Sequence, residues 1–355
     1  MRFTPFTMER YQSTFEHRVR INLSESGVHP LTVDELLEIA GTDAGVGGIR
    51  LGYGQSNGSD ELRHKVAAQY EGATENNVLV TVGGAEANFT CFWHLFETEE
   101  KAAVILPTYG QVPGLIDSFE GRIMPVHLVE ENDWQPDLEA LEAALEAGAR
   151  FVLITNPNNP TGTAVHVDQL RRLVEQVPDD VLVVVDEAYR EFVTADLGDP
   201  ITDLQPDHPN VVVLRTFSKA FGLAALRTGY AVADPDVVIE LDKVLIAFAV
   251  NHLAQVASLA AIAARDEVQA VVDLITAERD RVVASLRSDG WDLPDAHANF
   301  VYLPLGSRTD VVFPEMEKRG VVVRPFPGVG MRVTIGTPAQ NDRFLATLAE
   351  VTAGS

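Results

Sequence analysis

Six short apolar runs constrain what this chain can fold into. VLVTV (78–82), AVILP (103–107), FVLIT (151–155), VLVVVDE (181–187), VVVLRT (211–216) and GYAVA (229–233) are of strand length and nearly continuous in apolar residues. A strand with one wet face alternates apolar and polar residues, whereas an unbroken run is buried on both faces. Between the runs lie stretches such as DLEALEAALEAG and VDQLRRLVEQV, with apolar residues at helical spacing. The expected fold class is therefore α/β: a three-layer α/β/α large domain with a mostly parallel sheet, over residues 47–243.

After Lys243 the pattern changes to a long helical stretch ended by Gly290, then shorter strands at NFVYLPL, GVVVRPF and MRVTIGT and a closing helix. This reads as a smaller α+β domain over residues 244–355, with residues 1–46 packing against it. An apolar content of 46% over 355 residues is ample for two cores.

Charge and cysteine usage narrow the partners. A formal net charge of −25 repels phosphate backbones and anionic membranes, so neither nucleic acid nor membrane is an expected partner. A phosphate-bearing ligand would need its own local positive cup. Cys91 is the only cysteine, so no intramolecular disulfide forms, and its place in the apolar run NFTCFWHLF marks it as core. The first twenty residues mix charges without the apolar centre of a signal peptide, and no run of 18 apolar residues follows. The expected location is the cytoplasm. The nine histidines show no metal-binding spacing, and no metal is expected.

In open α/β sheets, ligands sit beyond the carboxyl ends of the strands. The first five runs end in GGAEANF, PTYG, NPNNPTG, DEAYREF and RTFSKAF, all polar, glycine-rich or aromatic. That points to one site assembled from all five. Each segment also has a plainer reading. Asp186, straight after an apolar strand, is either a carboxylate held beside a cation or a helix cap. NPNNPTG is either only a turn or a rigid mount for Asn159, and Tyr109 is either core or a plate for a flat ligand. Gly83 and Gly84, where a strand turns into a helix, leave backbone N–H groups free for an anion. They do not fit the dinucleotide or P-loop fingerprints.

Lys219 is one of only five lysines in the chain. Alone, it reads as a surface lysine at a helix start. With an aspartate, an asparagine, an aromatic plate and a phosphate cup completed by Thr216, Ser218 and Arg227, it belongs to a set that can hold a phosphorylated pyridine aldehyde as a Schiff base.

NPNNPTG, DEAYREF, TFSKAFGLAALRTGY and MRVTIGT occur in that order between residues 156 and 337. In these motifs the chain resembles the fold-type I pyridoxal-phosphate enzymes of the aspartate aminotransferase superfamily. From NPNNPTG onward, including HANFVYLPLG and GVVVRPFPGVGMRVTIGTP, it looks most like the histidinol-phosphate and aromatic aminotransferases. The resemblance implies pyridoxal 5′-phosphate as cofactor, with Lys219 its covalent anchor and the group that shuttles the substrate proton. It implies that Asp186 pairs with the ring nitrogen, Tyr109 stacks on the ring, and Asn159 and Tyr189 bind the phenolic oxygen. Gly84, Ala85, Thr216, Ser218 and Arg227 would hold the phosphate. Arg332 would clamp the substrate α-carboxylate, with Asn159, Asn299 and Phe300 close by and Arg324 near enough to bear on side-chain choice. Tyr53 would reach the phosphate of a neighbouring subunit, making the enzyme a homodimer.

The amino-terminal third departs from this pattern. INLSESGVHPLTVDELL and LGYGQSNGSDELR look more like the branch that holds the capreomycidine synthases. His29, in the first of these segments, is either a pocket residue over the substrate or merely structural. The resulting expectation is an aminotransferase acting between an aromatic or imidazole-bearing α-amino acid and a 2-oxo acid. The alternative is elimination, cyclisation or oxidation of a guanidino amino acid with the same cofactor. A non-enzymatic cofactor-binding regulator is a third reading, disfavoured because no basic DNA-binding module is appended.

Overall fold

The computed structural model describes residues 19, 21–39, 41, 52–95 and 100–353. Residues 1–18 of the amino-terminal segment and the domain start expected at residue 47 lie outside the described residues. The described strands are β1 (Ile21–Leu23), β2 (Val78–Thr81), β3 (Lys101–Leu106), β4 (Arg122–Val129), β5 (Gln135–Pro136), β6 (Ala149–Thr155), β7 (Leu182–Asp186), β8 (Val211–Thr216), β9 (Gly229–Val232), β10 (Phe300–Leu303), β11 (Val321–Phe326) and β12 (Gly330–Thr334).

Eight of them form one sheet in the order β2-β9-β8-β7-β6-β3-β4-β5. Its centre is parallel, from β8 through β7, β6 and β3 to β4. The GYAVA run departs from the parallel expectation, because β9 lies antiparallel to both β2 and β8. The link from β8 to β9 holds only a short 3-10 turn, Ala224–Leu226, and a parallel return would need a full crossover. β4 and β5 were not anticipated from the sequence. β4 is only partly buried and carries Arg122, Pro125 and His127, so it lacks an unbroken apolar run.

The two faces of this sheet explain the apolar runs. Val183, Val185, Val211 and Val213 pack into one layer, while Val184, Val212 and Leu214 pack into the other. Helices supply the remainder of each layer. The helix Leu138–Glu146 starts where the Asp137 carboxylate accepts from the N–H groups of Glu139 and Ala140. The helix Gly83–Leu95 puts Ala87, Cys91 and Phe92 against the second face. Burial pushes the Cys91 thiol up to about 12, as befits an inert core residue.

The second sheet has the order β1-β11-β12-β10. β1 pairs parallel with β11, Ile21 opposite Val321, so a strand from the amino-terminal segment completes a sheet otherwise built from the last sixty residues. Leu23, Val301, Val323, Val333 and Phe344 share its core. This pairing carries residues 24–27 directly over the carboxyl ends of the large sheet, and the site is built from that meeting.

Candidate active site

A cavity of about 480 Å³ opens where the two sheets meet. Its floor is made by strand ends. Thr155 and Asp186 are register partners at the ends of β6 and β7, and Thr216 closes β8.

Asp186 is 7% exposed. Its Oδ2 accepts from Asn88 Nδ2 at 2.7 Å and its Oδ1 from the Ala188 N–H at 3.1 Å. Burial pushes the carboxyl up, against the lowering effects of those two hydrogen bonds and of the Lys219 charge. The group is an under-compensated buried carboxylate facing a cavity, so a cationic ligand atom beside it would be stabilised.

One wall is an anion cup. Gly84 and Ala85 start the helix Gly83–Leu95, so their N–H groups lie at a helix N-terminus. Thr216 Oγ1 donates to Ser218 Oγ at 2.9 Å, and Arg227 Nη1 donates to the same oxygen at 3.4 Å. Arg227 itself adopts left-handed backbone, φ 58°. A Cβ at Gly83 would come within 2.8 Å of Arg227 Nη2, so the missing side chain is what admits the guanidinium.

The opposite wall carries a line of polar contacts. Arg332 Nη1 donates to Asn159 Oδ1 at 2.8 Å, and Asn159 Nδ2 donates to Tyr189 OH at 3.3 Å. Tyr189 OH then donates to Ser26 Oγ at 2.9 Å, where Lys219 Nζ also donates at 2.9 Å. Arg332 lies 5.0 Å from the centre of the Phe300 ring, which in turn packs edge-on to Tyr189. Tyr109 and Arg324 complete the lining.

Of the residues singled out from sequence, Gly83 and Phe300 lie just behind the cavity lining, against Arg227 and Arg332, while Tyr53, His29 and Asn299 also stand outside it. Tyr53 is 91% exposed and packs against Phe248 at 5.2 Å between ring centres. His29 is exposed, where the chain passes over Gly222. Asn299 is buried, and its Nδ2 is occupied in donating to the carbonyls of Ser26 and Gly27, both at 3.0 Å. It holds the loop that closes the cavity.

Sequence reasoning missed Ser24, Ser26 and Asn88. Helical spacing could have found Asn88, which lies one turn beyond Gly84 and donates to its carbonyl at 3.3 Å. Nothing local marks Ser24 or Ser26 as part of the site, because the contacts that bring them there, Arg332 to the Ser24 carbonyl and Tyr189 and Lys219 to the Ser26 hydroxyl, span 308, 163 and 193 residues.

The family model for aminotransferase class I and II matches residues 20–348. The chain belongs to that family. Its class I and II relatives include an aromatic amino acid aminotransferase of Thermobifida fusca, 49% identical over 221 residues, which are 62% of this chain and 61% of the relative. Another, of Rhodococcus jostii, is 50% identical over 222 residues, 62% of each chain. The matched segments thus span about three fifths of these relatives. Among solved structures, histidinol-phosphate aminotransferase from Sinorhizobium meliloti in complex with pyridoxal-5′-phosphate superposes with a TM-score of 0.86 at 24% identity, covering 100% of this chain and 96% of that one. A mutant aspartate aminotransferase from Thermus thermophilus gives 0.83 at 21%, covering 99% and 97%. These likenesses establish the shared two-domain fold.

Proposed function

We propose that this protein is a pyridoxal 5′-phosphate-dependent aminotransferase that moves an amino group between an α-amino acid and a 2-oxo acid, the amino acid bearing an aromatic or imidazole side chain. The observation that carries the reading is the single cavity that places Lys219 and the buried Asp186 between an anion cup and Arg332.

The donor set fits the cofactor. The Gly84–Ala85 turn with Thr216, Ser218 and Arg227 suits a phosphate, and the under-compensated Asp186 carboxylate suits a protonated ring nitrogen. Tyr109 lines the same cavity as an aromatic plate, Asn159 carries a second amide N–H for a phenolic oxygen, and the Tyr189 O–H would turn from Ser26 to meet that oxygen. Bound there, pyridoxal 5′-phosphate supplies an aldehyde for amines and an electron-withdrawing ring that acidifies the α-proton of an attached amino acid. The chain's own residues do the rest. Lys219 Nζ anchors the cofactor and, when free, carries the α-proton. Arg332 presents a planar fork to the α-carboxylate, which fixes the substrate by two points. The aromatic side-chain preference rests on the 49% identity to an aromatic amino acid aminotransferase over part of the chain.

The proposal extends to a cytoplasmic homodimer in which Tyr53 reaches the neighbouring subunit's phosphate. The exposed rings of Tyr53 and Phe248, at 91% and 51%, support a surface that a second copy covers. Sedimentation velocity of wild type and Tyr53→Ala tests the assembly.

For the reaction, cofactor-loaded protein mixed with an aromatic amino acid is expected to lose its visible cofactor band, and a 2-oxo acid is expected to restore it. Borohydride reduction should fix the cofactor on Lys219, as read by peptide mass. Ammonia release or oxygen uptake without restoration would replace amino transfer with the elimination, cyclisation or oxidation alternative.

A further inference from the structure

Ser26 lies outside every motif that pointed to the site, in the segment that departs from the family pattern, and is 8% exposed. Two groups of the proposed machinery converge on its hydroxyl. Lys219 Nζ and Tyr189 OH both donate to Ser26 Oγ, each at 2.9 Å, and Lys219 Nζ sits 5.6 Å from the centre of the Tyr189 ring. A serine oxygen has two acceptor sites, and these two donors fill both.

The loop does not need that hydroxyl to stay in place. Asn299 Nδ2 holds the backbone carbonyls of Ser26 and Gly27, and Arg332 Nη2 donates to the Ser24 carbonyl at 2.6 Å. The Ser24 N–H and hydroxyl both donate to Asn22 Oδ1, at 3.0 and 2.6 Å. The backbone of residues 24–27 is therefore anchored independently, and the Ser26 side chain is presented to Lys219 by a fixed support.

We propose that Ser26 is a positioning residue for amino transfer: its oxygen accepts one N–H of the free Lys219 amine and so fixes the direction in which that amine takes and returns the substrate α-proton. A lysine amine on a four-carbon stem otherwise samples several rotamers, and misplacing a reacting group by about 1 Å can cost roughly a hundredfold in rate. Ser26 itself exchanges no proton. The line Arg332, Asn159, Tyr189, Ser26, Lys219 places the carboxylate clamp and the proton-carrying amine in one hydrogen-bonded frame. The inference rests on the aminotransferase reading above.

The test compares Ser26→Ala and Ser26→Thr with wild type as holoenzymes, using α-protiated and α-deuterated amino acid in a rapid-mixing half-reaction. Ser26→Ala is expected to slow the half-reaction about 10- to 100-fold, to leave KM within about twofold, and to raise the α-deuterium isotope effect. Ser26→Thr, which keeps the hydroxyl, is expected to recover most of the rate. In cofactor-free protein, amide hydrogen exchange over residues 22–27 should be unchanged by Ser26→Ala and accelerated by Asn299→Ala. An unaltered rate and isotope effect in Ser26→Ala would overturn the proposal. So would a slowed rate accompanied by faster exchange across 22–27, which would make the serine a loop anchor only. Failure of wild type to pass an amino group to any 2-oxo acid would sink the aminotransferase reading itself, and is distinguishable because it needs no Ser26 variant.

Discussion

Arg324 and Arg332 stand directly opposite one another across the antiparallel β11–β12 pair. Both are 2% exposed and both line the cavity. Residues paired in this way project from the same face of the sheet, and like charges so placed cost roughly 0.2–1 kcal/mol beyond their desolvation. In the proposed reaction the substrate carboxylate would bring a negative charge to this pair. Arg332 Nη1 and Nη2 donate to the oxygens of Asn159 and Ser24, and the side chain lines the cavity wall. Arg332→Lys is therefore expected to lower kcat/KM about a hundredfold for every amino acid, since an ammonium cannot make the two-point contact. Arg324→Gln is expected to change the ranking among amino acids of different side chain. A kcat/KM panel checks both, and equal losses for all substrates in both variants would mean that the arginines act as one site.

Asp186 should trade stability against function. Burial raises its carboxyl pKa, so the folded protein binds that proton more tightly than the unfolded chain. The linked stability is present below the unfolded value, about 3.9, and is lost as pH rises through the folded one. Asn88 can turn its amide to meet a neutral replacement, because Asn88 Oδ1 has no hydrogen-bond partner among the described residues. Cofactor-free Asp186→Asn should melt at or above the wild-type temperature at pH 8, with the gap closing toward pH 4, while the loaded variant loses activity. Thermal melts at the two pH values decide it, and a lower melting temperature at pH 8 would contradict the sign.

Gly229 tests the anion cup without altering a polar side chain. A Cβ there would lie 2.7 Å from both the Gly83 carbonyl carbon and the Gly84 nitrogen, and 2.9 Å from the Arg215 oxygen. All three are backbone atoms, so the turn itself must move. Gly229→Ala is expected to cost about 1–3 kcal/mol of stability and to weaken cofactor binding at least about tenfold. Full cofactor affinity in a destabilised variant would show that the Gly83–Gly84 turn does not hold the phosphate.

Behind the site, Arg215 is fully engaged. Its Nε and Nη2 donate to Glu187 Oε2 at 3.0 and 2.6 Å, its Nη2 to Asp199 at 2.9 Å, and its Nη1 to Tyr70 OH at 3.1 Å. Arg215→Ala would strand the Glu187 charge, which is 0% exposed, and is expected to cost about 3–5 kcal/mol in urea unfolding. The double variant Arg215→Met with Glu187→Gln should recover part of that loss, because it removes both charges. A double variant no better than the single would count against charge burial as the cause.

Much of this molecule is legible from its residues in order. Strands buried on both faces appear as unbroken apolar runs, and their polar ends marked Asp186, Asn159, Thr216 and Lys219 because each motif is contiguous in sequence. The antiparallel course of β9 was not legible, because it depends on how short the link from β8 is once folded. Neither was the role of Asn299, whose side chain looked available to a ligand and is committed to the Ser26 carbonyl 273 residues away. The closing loop depends on a contact longer still, Arg332 to Ser24 across 308 positions. By itself the sequence determined which segments are buried, and which chemistry stands at the end of each, because burial and turn chemistry are local. Only the tertiary structure decided which distant residues share a hydrogen bond. That follows from the pairing of β1 with β11, a contact between chain ends that no local pattern encodes.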